Sequence, residues 1–263
     1  IPFSRGQHIS DTPDSLDVIS MMYPVELAEF ELADMQTVRT KGTKVVYTIS
    51  FDKIQKEYTE KVKEGTETGT FDTYLKSELD KQIGYAGNFD GLIAEYKGTN
   101  PIYMSAEQKA EAKKNQDAFF SVVSTWKTGN ADKLLTFQGY PENLLEQTIL
   151  TSCKHIILAT DNVTDDAQLS VVARLAMVGS GVPTDRFVVA VSTASLDAAD
   201  KQTGFYDTDR ALLEAAYWTT ERSDDYTRAG LAIYNVQNDY YNAANTYLYV
   251  KSAINIMNPA PKK

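Results

Sequence analysis

Eight short runs of residues that favour β-strands alternate along this 263-residue chain with segments that have helical spacing. The predicted strands lie at residues 1–7, 17–23, 44–50, 88–98, 134–137, 155–159, 187–191 and 230–234, and the predicted helices at residues 24–40, 71–83, 105–126, 141–149, 165–178, 209–219 and 240–257. This order is typical of a (β/α)8 TIM barrel. With 43% hydrophobic residues, the chain can bury the core of one such α/β domain over residues 1–263. The alternative is a doubly wound sheet, which usually has a glycine-rich phosphate loop after its first strand, and the sequence has no such loop there.

The charge and the residue content argue against several classes of function. With a formal net charge of −10 and a pI near 4.8, the chain lacks the basic surface that binding of nucleic-acid phosphates requires. Its single cysteine, Cys153, lies in an apolar run, which predicts a buried thiol. His8 and His155 are far apart, and the acidic segment 161–166 lacks the glycine and the closing glutamate of a calcium loop. No metal or other cofactor is therefore expected, and no apolar run is long enough to span a bilayer.

The strand predicted at residues 88–98 is the candidate for the functional centre. It reads Asn-Phe-Asp-Gly-Leu-Ile-Ala-Glu-Tyr-Lys-Gly, so Ile93, Glu95 and Lys97 share one face by the two-residue period of a strand. Glu95 and Lys97 then stand about 7 Å apart along the strand. They lie near its carboxyl end, which is where an α/β barrel has its active site. The simplest interpretation of these two opposite charges is an ion pair at the mouth of the barrel.

The same stretch resembles the signature strand of the family 18 glycoside hydrolases, the chitinase and endo-β-N-acetylglucosaminidase family. The family pattern is Asp-Gly-x-Asp-x-Asp-x-Glu, which Asp90 and Gly91 match. Ile93 stands at the first inner aspartate, Glu95 at the last aspartate, and Lys97 at the catalytic glutamate. Residues 13–20, 247–250 and 256–259 resemble the ends of a gut-bacterial subgroup of this family.

The resemblance implies a reaction in which the 2-acetamido oxygen of the substrate attacks the anomeric carbon, while one protein acid protonates the leaving oxygen. A general acid works best with a pKa near the working pH. Lysine, with an ordinary pKa of about 10.4, is far too weak an acid and lacks the geometry of a carboxyl group. Glu95 lies two residues earlier, at the position that the family uses to hold the acetamido group. We therefore expect Lys97 to leave the protein without its catalytic acid.

Three functions follow from these residues as alternatives. The first is a catalytically inactive relative that binds N-acetylglucosamine-containing glycans at the carboxyl-end face of the barrel. The second is an active or weakly active endo-β-N-acetylglucosaminidase that uses Glu95 or another loop carboxylate. The third is a scaffold protein of a glycan-uptake assembly that binds no sugar.

Candidate ligand-binding residues are the polar and aromatic side chains at the predicted strand ends. They are Tyr23, Tyr47, Glu95, Gln138, Tyr140, Asp161, Asn162, Tyr234, Asn235 and Gln237. Trp126 and Trp218 lie near predicted helix ends, where packing is the expected role. The resemblance further implies a protein exported to the cell surface or periplasm. It also implies membrane tethering through a lipidated N-terminus that this sequence does not include, and a place in a glycan-uptake complex.

Overall fold

Parallel strands form the main sheet of the protein, whose computed structural model describes residues 6, 8–179 and 181–259. The strands are β1 (Val18–Met21), β2 (Lys44–Ser50), β3 (Gly91–Tyr96), β4 (Leu134–Gly139), β5 (His155–Leu158), β6 (Phe187–Ser192), β7 (Phe205–Tyr206), β8 (Asp209–Arg210) and β9 (Arg228–Tyr234). The main sheet has seven strands in the order β1-β2-β3-β4-β5-β6-β9, and β7 and β8 form a separate antiparallel hairpin. Because the seven strands are parallel, their carboxyl ends lie on one face of the molecule.

Helices lie between the strands and cover the outer side of the sheet. They are α1 (Glu29–Thr40), α2 (Phe51–Glu64), α3 (Phe71–Ile83), α4 (Ala106–Gly129), α5 (Ala167–Ala176), α6 (Ala211–Thr220) and α7 (Leu248–Met257). Short 3-10 turns occupy several connections, at Ile9–Asp11, Gly84–Asn88, Pro101–Tyr103, Pro141–Asn143, Thr148–Ser152 and Val236–Tyr241. Within the described ranges, no helix has both the length and the apolar character needed to cross a membrane.

The α/β class and the parallel sheet are confirmed, but an eight-stranded closed barrel is not. The structure shows a curled sheet of seven strands, which forms a half-barrel. The first predicted strand, at residues 1–7, lies outside the described residues apart from Gly6. In the part of the chain that the structure describes, no pairing joins β9 to β1.

The alternation of side chains along the strands divides the interior into two parts. Alternate residues such as Tyr47, Leu92 and Phe137 face the helices and belong to the large hydrophobic core. The other set faces the inside of the curl, where it forms a second, smaller apolar cluster. This inner cluster consists of Val46, Ile93, Ile157, Val188 and Ala190. Ile93 therefore takes part in an apolar interior at the position where the sequence pattern of the family has an aspartate.

The first two helices differ from the sequence-based assignment: the predicted start of α1 is wrong, and α2 has no counterpart in the prediction. The helix predicted from residue 24 begins at Glu29, because the backbone N–H of Ala28 donates to Glu31 at 2.7 Å and fixes the start there. The charged segment 52–64, to which the sequence analysis assigns no element, is part of α2. Ser50 Oγ accepts from the Lys53 N–H at 3.2 Å at the start of α2, and Gly65, with φ of 74°, ends it.

Two further helices differ from the prediction, while one predicted cap is confirmed. The segment 141–149 contains separate 3-10 turns in place of one helix, and α7 begins only at Leu248. Tyr247 has φ of 55°, a left-handed conformation that interrupts a right-handed helix. The capping box at the start of α4 is present, since Ser105 Oγ accepts from the Gln108 N–H and the Gln108 side chain accepts from the Ser105 N–H.

The sequence-based assignment of three residues to the core is confirmed. Trp126 and Trp218 are buried, and Trp218 Nε1 donates to Ser170 Oγ at 3.0 Å. Cys153 is a buried free cysteine. Burial raises the pKa of its thiol to about 12, so the thiolate is not populated at neutral pH.

Asp90, the first residue of the strand motif, lies at the amino end of β3 and has a structural role. Its Oδ2 accepts from the backbone N–H of Val45 at 2.8 Å and from Arg39 Nε at 2.9 Å. Arg39 also donates to the carbonyl oxygen of Asn88 at 2.6 Å. Asp90 thus ties β2 and α1 to the start of β3, on the face opposite to the carboxyl ends of the strands.

Replacing Asp90 by alanine removes both bonds and leaves Arg39 without its carboxylate. Because hydrogen bonds with charged groups contribute about 1.5–3 kcal/mol each, we expect Asp90→Ala to lower the free energy of unfolding by roughly 2–4 kcal/mol in urea denaturation. Asp132 is exposed and makes no side-chain hydrogen bond or ion pair with the described residues. The control Asp132→Ala should change stability by less than about 0.5 kcal/mol. Equal losses in the two variants would contradict the structural role.

Candidate functional site

The carboxyl ends of β2, β3 and β4 bring three polar side chains together. Ser50 is paired in register with Glu95, and Glu95 with Gln138, so all three point to the inside of the curl. Ser50 Oγ donates to Glu95 Oε1 at 2.6 Å, and Gln138 Nε2 donates to Glu95 Oε2. Both carboxylate oxygens of Glu95 are therefore held by neighbouring strands. We call Ser50, Glu95 and Gln138 the polar floor.

The polar floor lies directly above the apolar inner cluster. Two residues earlier on the same strands, Thr48, Ile93 and Thr136 are paired with one another. Ile93 is 6% exposed and packs in the inner cluster. Within one two-residue step along the strands, the interior thus changes from a layer of one isoleucine and two threonines to three hydrogen-bonded polar side chains at the carboxyl-end face.

Lys97 lies just beyond β3 and forms an ion pair, but not with the partner that the sequence predicts. Its Nζ donates to the carboxylate of Asp161 at 2.8 Å, and Tyr140 OH donates to Asp161 Oδ2 at 2.9 Å. The predicted ion pair between Glu95 and Lys97 is therefore wrong. Glu95 points deeper and is bound by the floor residues, while Lys97 reaches across β4 to the end of β5. We call Lys97, Tyr140 and Asp161 the charged cluster.

The backbone at Lys97 is fixed from both sides. Asp52, in the first turn of α2, accepts from the backbone N–H groups of Lys97 and Gly98 at 2.7 and 3.1 Å. On the other side, Asn143 Nδ2 donates to the Lys97 carbonyl oxygen at 2.7 Å. The side chain of residue 97 therefore starts from a defined point at the mouth, which is the position that the family pattern gives to the catalytic glutamate.

Two tyrosines keep their protons in this site. Burial raises the pKa of Tyr234 well above its usual range, and the nearby carboxylates of Glu95 and Asp161 raise it further. Burial and the hydrogen bond to Asp161 raise the pKa of Tyr140 in the same way. At neutral pH both phenols are uncharged and serve as hydrogen-bond donors.

Asn235 follows Tyr234 at the carboxyl end of β9 and is positioned by the neighbouring strand. Its Nδ2 donates to Ser192 Oγ at 3.1 Å, and its carbonyl oxygen accepts from Thr193 Oγ1 at 2.6 Å. Asn235 has φ of 56°, a left-handed conformation that asparagine tolerates better than most residues. These bonds hold the carboxyl ends of β6 and β9 together, next to the point where Tyr234 is paired with Ser192.

Tyr47 is the predicted ligand residue that the structure contradicts. Its ring is fully buried against Phe89, with centroids 4.8 Å apart, and its OH donates to the Gln82 carbonyl oxygen at 2.8 Å. Tyr47 lies three residues before Ser50 on the same strand, so the two side chains point to opposite faces. Tyr47 therefore belongs to the core beneath the helices and cannot contact a ligand at the mouth.

The remaining predicted residues lie in loops on the carboxyl-end face. Tyr23 follows β1 and is 73% exposed. Asn162 follows Asp161 after β5, and Gln237 lies in the 3-10 turn after β9. None of these three side chains makes a hydrogen bond with another described residue. The structure thus brings Glu95, Gln138, Tyr140, Asp161 and Tyr234 together and leaves Tyr23, Asn162 and Gln237 on the rim.

Two residues of this face are missed by the sequence analysis. Tyr103 ends the turn Pro101–Tyr103 after β3 and is 79% exposed. Glu142 follows Tyr140 after β4 and is half-buried, and burial raises the pKa of its carboxyl group. The signal for both is the same: each lies a few residues beyond a strand end, next to a proline that starts a turn.

The arrangement offers hydrogen bonds to a polar ligand more readily than a reaction centre. Lys97 and Tyr234 supply donors, and Tyr140, Glu95 and Asp161 supply acceptors, all on one face. Among the described residues, no group of three or more His, Cys, Asp and Glu side chains is arranged to hold a metal ion. The hydroxyl and amide groups of an uncharged polar ligand match such a mixture of donors and acceptors.

Known proteins resemble this chain in both sequence and structure. The model of the family described as "Glycoside hydrolase family 18, BT1044-like" matches residues 1–256. No curated protein matches the chain. A GH18 chitinase from Pseudoalteromonas aurantia superposes with a TM-score of 0.62 at 10% identity, over 96% of this chain and 97% of that chain. YKL-39, solved in the presence of chitooligosaccharides (GlcNAc4), superposes with a TM-score of 0.53 at 11% identity, over 98% of this chain and 96% of that chain.

The polar floor and the charged cluster should differ in their effect on stability. Ser50→Ala removes a bond to the carboxylate of Glu95 and the cap of α2, so we expect it to lower the free energy of unfolding by roughly 1–3 kcal/mol. Lys97→Met breaks an ion pair whose side chains are 35% and 50% exposed, and such pairs contribute only about 0–1 kcal/mol. Chemical denaturation of both variants measures the difference. A larger loss for Lys97→Met than for Ser50→Ala would show that this assignment is wrong.

The raised pKa of Glu142 makes its contribution to stability depend on pH. The folded protein binds this proton more tightly than the unfolded chain, so stability falls as pH rises from the unfolded pKa through the folded pKa. We expect Glu142→Gln to be more stable than the wild type at pH 7 and equally stable below about pH 4. Glu107, whose pKa is lowered by hydrogen bonds at the start of α4, is the control of opposite sign. Glu107→Gln should be less stable than the wild type at pH 7, and the same sign for both variants would refute the argument.

Proposed function

Because the chain belongs to glycoside hydrolase family 18, in its BT1044-like group, we propose that it is a catalytically inactive member that binds N-acetylglucosamine-containing glycans at the carboxyl-end face of the sheet. The observation that carries this proposal is the state of residue 97. The family pattern has a glutamic acid there as proton donor. This chain has Lys97, and its ammonium group is engaged by Asp161 at the mouth.

Neither Lys97 nor Glu95 fits the role of the missing acid. Lysine is a far weaker acid than a carboxylic acid, so its ammonium group holds the proton too tightly to act as a general acid near neutral pH. Both oxygens of Glu95 accept hydrogen bonds from Ser50 and Gln138, so Glu95 is held as an acceptor. Glu95 also lies two residues before position 97, deeper inside the curled sheet. A displacement of a catalytic group by even about 1 Å can lower the rate by a factor of 10².

The same face keeps what sugar binding needs. The protonated phenol of Tyr234 and the amide of Gln138 can donate to sugar hydroxyl and acetamido oxygens. The phenol oxygen of Tyr140, whose proton is donated to Asp161, can accept from a sugar hydroxyl. The exposed rings of Tyr23 and Tyr103 offer flat apolar surfaces for the apolar face of a sugar ring. The likeness to YKL-39, solved with GlcNAc4, makes N-acetylglucosamine oligomers the first ligands to test.

The proposal extends to the context of the protein. It includes closure of the curled sheet into an eight-stranded barrel. It also includes export to the cell surface or periplasm, tethering through a lipidated N-terminus, and a place in a glycan-uptake complex. These points rest on the resemblance of residues 13–20, 247–250 and 256–259 to a gut-bacterial subgroup of the family.

A second candidate function, a weakly active endo-β-N-acetylglucosaminidase, is favoured by Glu142. Its half-buried carboxyl group follows Tyr140 on the carboxyl-end face and has a raised pKa. A raised pKa is what a carboxylic acid requires to donate a proton near neutral pH. In this alternative, Glu142 or Glu95 takes the part of the loop carboxylate that protonates the leaving oxygen.

Binding and cleavage measured in the same samples separate these functions. We expect the wild type to bind the N-acetylglucosamine tetramer in calorimetry, with no product detected by mass spectrometry. Tyr23→Ala and Tyr103→Ala should each raise Kd roughly 2- to 10-fold, because an aromatic contact contributes about 0.5–1.5 kcal/mol. Tyr217 is 57% exposed on α6, away from the mouth, and is the matched control. Tyr217→Ala should leave Kd unchanged.

Two outcomes would overturn the proposal. Product formation that is lost in Glu142→Gln or Glu95→Gln would identify the acid and establish the second candidate function. If the protein bound none of a panel of N-glycans and chitooligosaccharides, the glycan-binding proposal would be wrong and the scaffold function would be favoured.

A further inference from the structure

A second concave site lies beside the mouth, between the loops that follow β6 and β9. It is a cavity of about 280 Å³, close to the lower end of the roughly 300–1,000 Å³ that small-molecule sites occupy. Ser192 and Thr193 line it, and Ser192 is also the strand partner of Tyr234 and the acceptor of the Asn235 amide. The cavity is therefore continuous with the carboxyl-end face, and its volume suits a single sugar ring.

Arg210 provides the cation of this cavity. Its guanidinium carbon lies 4.6 Å from the ring centroid of Phe205 and 4.3 Å from that of Tyr249. Stacking against rings orients a guanidinium group while leaving its N–H edge available for hydrogen bonds. Within the described residues, the Arg210 side chain makes no hydrogen bond and no ion pair. Arg210 is thus a preoriented donor fork whose N–H groups are bonded by no other described residue.

The acidic residues that line the cavity are used by the backbone. Asp197 accepts from the Ala199 N–H, and Asp200 accepts from the N–H groups of Gln202 and Thr203. Asp239 accepts from the Val250 N–H at 2.8 Å. Each carboxylate therefore stabilises a loop or a helix start and does not pair with Arg210.

The second cation and the loop geometry complete the site. Lys201 lines the cavity, is exposed, and makes no ion pair with the described residues. Gly204 has φ of 83°, and a Cβ there would lie 2.4 Å from the backbone nitrogen of Ala194. Only glycine allows the hairpin that carries Arg210 to pack this closely on the loop after β6, so the two walls of the cavity are held together.

We propose that this cavity binds the carboxylate of an acidic sugar, with Arg210 as the bidentate partner, and that it extends the glycan site of the mouth to acidic glycans. The inference rests on the proposed glycan binding at the carboxyl-end face. A carboxylate is favoured because its two oxygens match the planar fork of a guanidinium group. A sugar is favoured because the hydroxyl and amide groups of Ser195, Asn238 and Asn242 line the same cavity. The net charge of −10 repels anions at long range, and the cavity itself is lined by three carboxylates beside Lys201 and Arg210. Recognition therefore depends on direct contact with the guanidinium group.

Glucuronate and glucose are the probes that test this site, because they differ only in a carboxylate in place of a hydroxymethyl group. Titrations followed by NMR at the Arg Nε–H signals should show glucuronate binding at least about tenfold more tightly than glucose. N-acetylneuraminate in a parallel titration shows which acidic sugar fits better, and tighter binding of either acid than of glucose supports the proposal. Equal binding of glucose would overturn it, and acetate binding as tightly as both acids would overturn the assignment to a sugar.

Substitutions of single arginines test whether the acidic sugar binds at Arg210. Arg210→Gln should weaken binding of the acidic sugar roughly 10- to 100-fold, and Arg210→Lys should recover only part of it because lysine lacks the fork. Arg222 is exposed in the loop that leads to the amino end of β9, and Arg222→Gln is the control with the same change of charge. Unchanged binding in a folded Arg210→Gln would overturn the proposal.

Binding of the neutral N-acetylglucosamine tetramer distinguishes this inference from the proposed function. Folded Arg210→Gln should bind the tetramer as the wild type does. Tetramer binding without any preference for acidic sugars would refute the inference alone. If the wild type did not bind the tetramer, the proposed function itself would be refuted.

Discussion

The register between β2, β3 and β4 is the constraint on which the carboxyl-end face depends. Because Ser50, Glu95 and Gln138 are paired across three parallel strands, they arrive at one level on one side of the sheet. A slip of one residue would turn Glu95 towards the helices and the ring of Tyr96 into the curl. Gly139 helps to hold this register, since with φ of 142° a Cβ there would lie 1.8 Å from the Tyr96 carbonyl oxygen. Only glycine allows β3 and β4 to approach so closely at the mouth.

Lys97 changes the electrostatics of the mouth as well as its chemistry. Asp161 accepts from both Lys97 and Tyr140, so the lysine supplies the charge that this carboxylate needs. A glutamate at position 97 would bring a second carboxylate towards Asp161, and two such groups in close contact are not both ionised readily. The lysine and the aspartate are therefore interdependent. At the position where the family pattern has an acid, the protein therefore has a lysine whose ammonium group is fixed by Asp161.

The sequence predicts the strands and the face of the central motif, because the two-residue period and the β-forming residues act locally. It does not predict the partner of Lys97, since Asp161 is 64 residues away and is reached only through the order of β3, β4 and β5. The prediction for Tyr47 fails for a different reason. The end of β2 is predicted correctly, but the two-residue period counted back from Ser50 puts Tyr47 on the face that packs against the helices. The cavity at Arg210 has no periodic signal at all, because irregular loops and a two-residue hairpin build it.

Ile93 and Lys97 both replace carboxylic acids of the family pattern, and the structure accommodates the two replacements together. In the family pattern an inner aspartate lies two residues before the last one. Here Ile93 closes the apolar inner cluster beneath Glu95, so Glu95 has no carboxyl partner below it. Its two oxygens are instead satisfied by Ser50 and Gln138 on the neighbouring strands. In the proposed function, a chain with Lys97 and Ile93 at these two positions transfers no proton, while the hydrogen-bonding surface above the floor stays in place for a glycan.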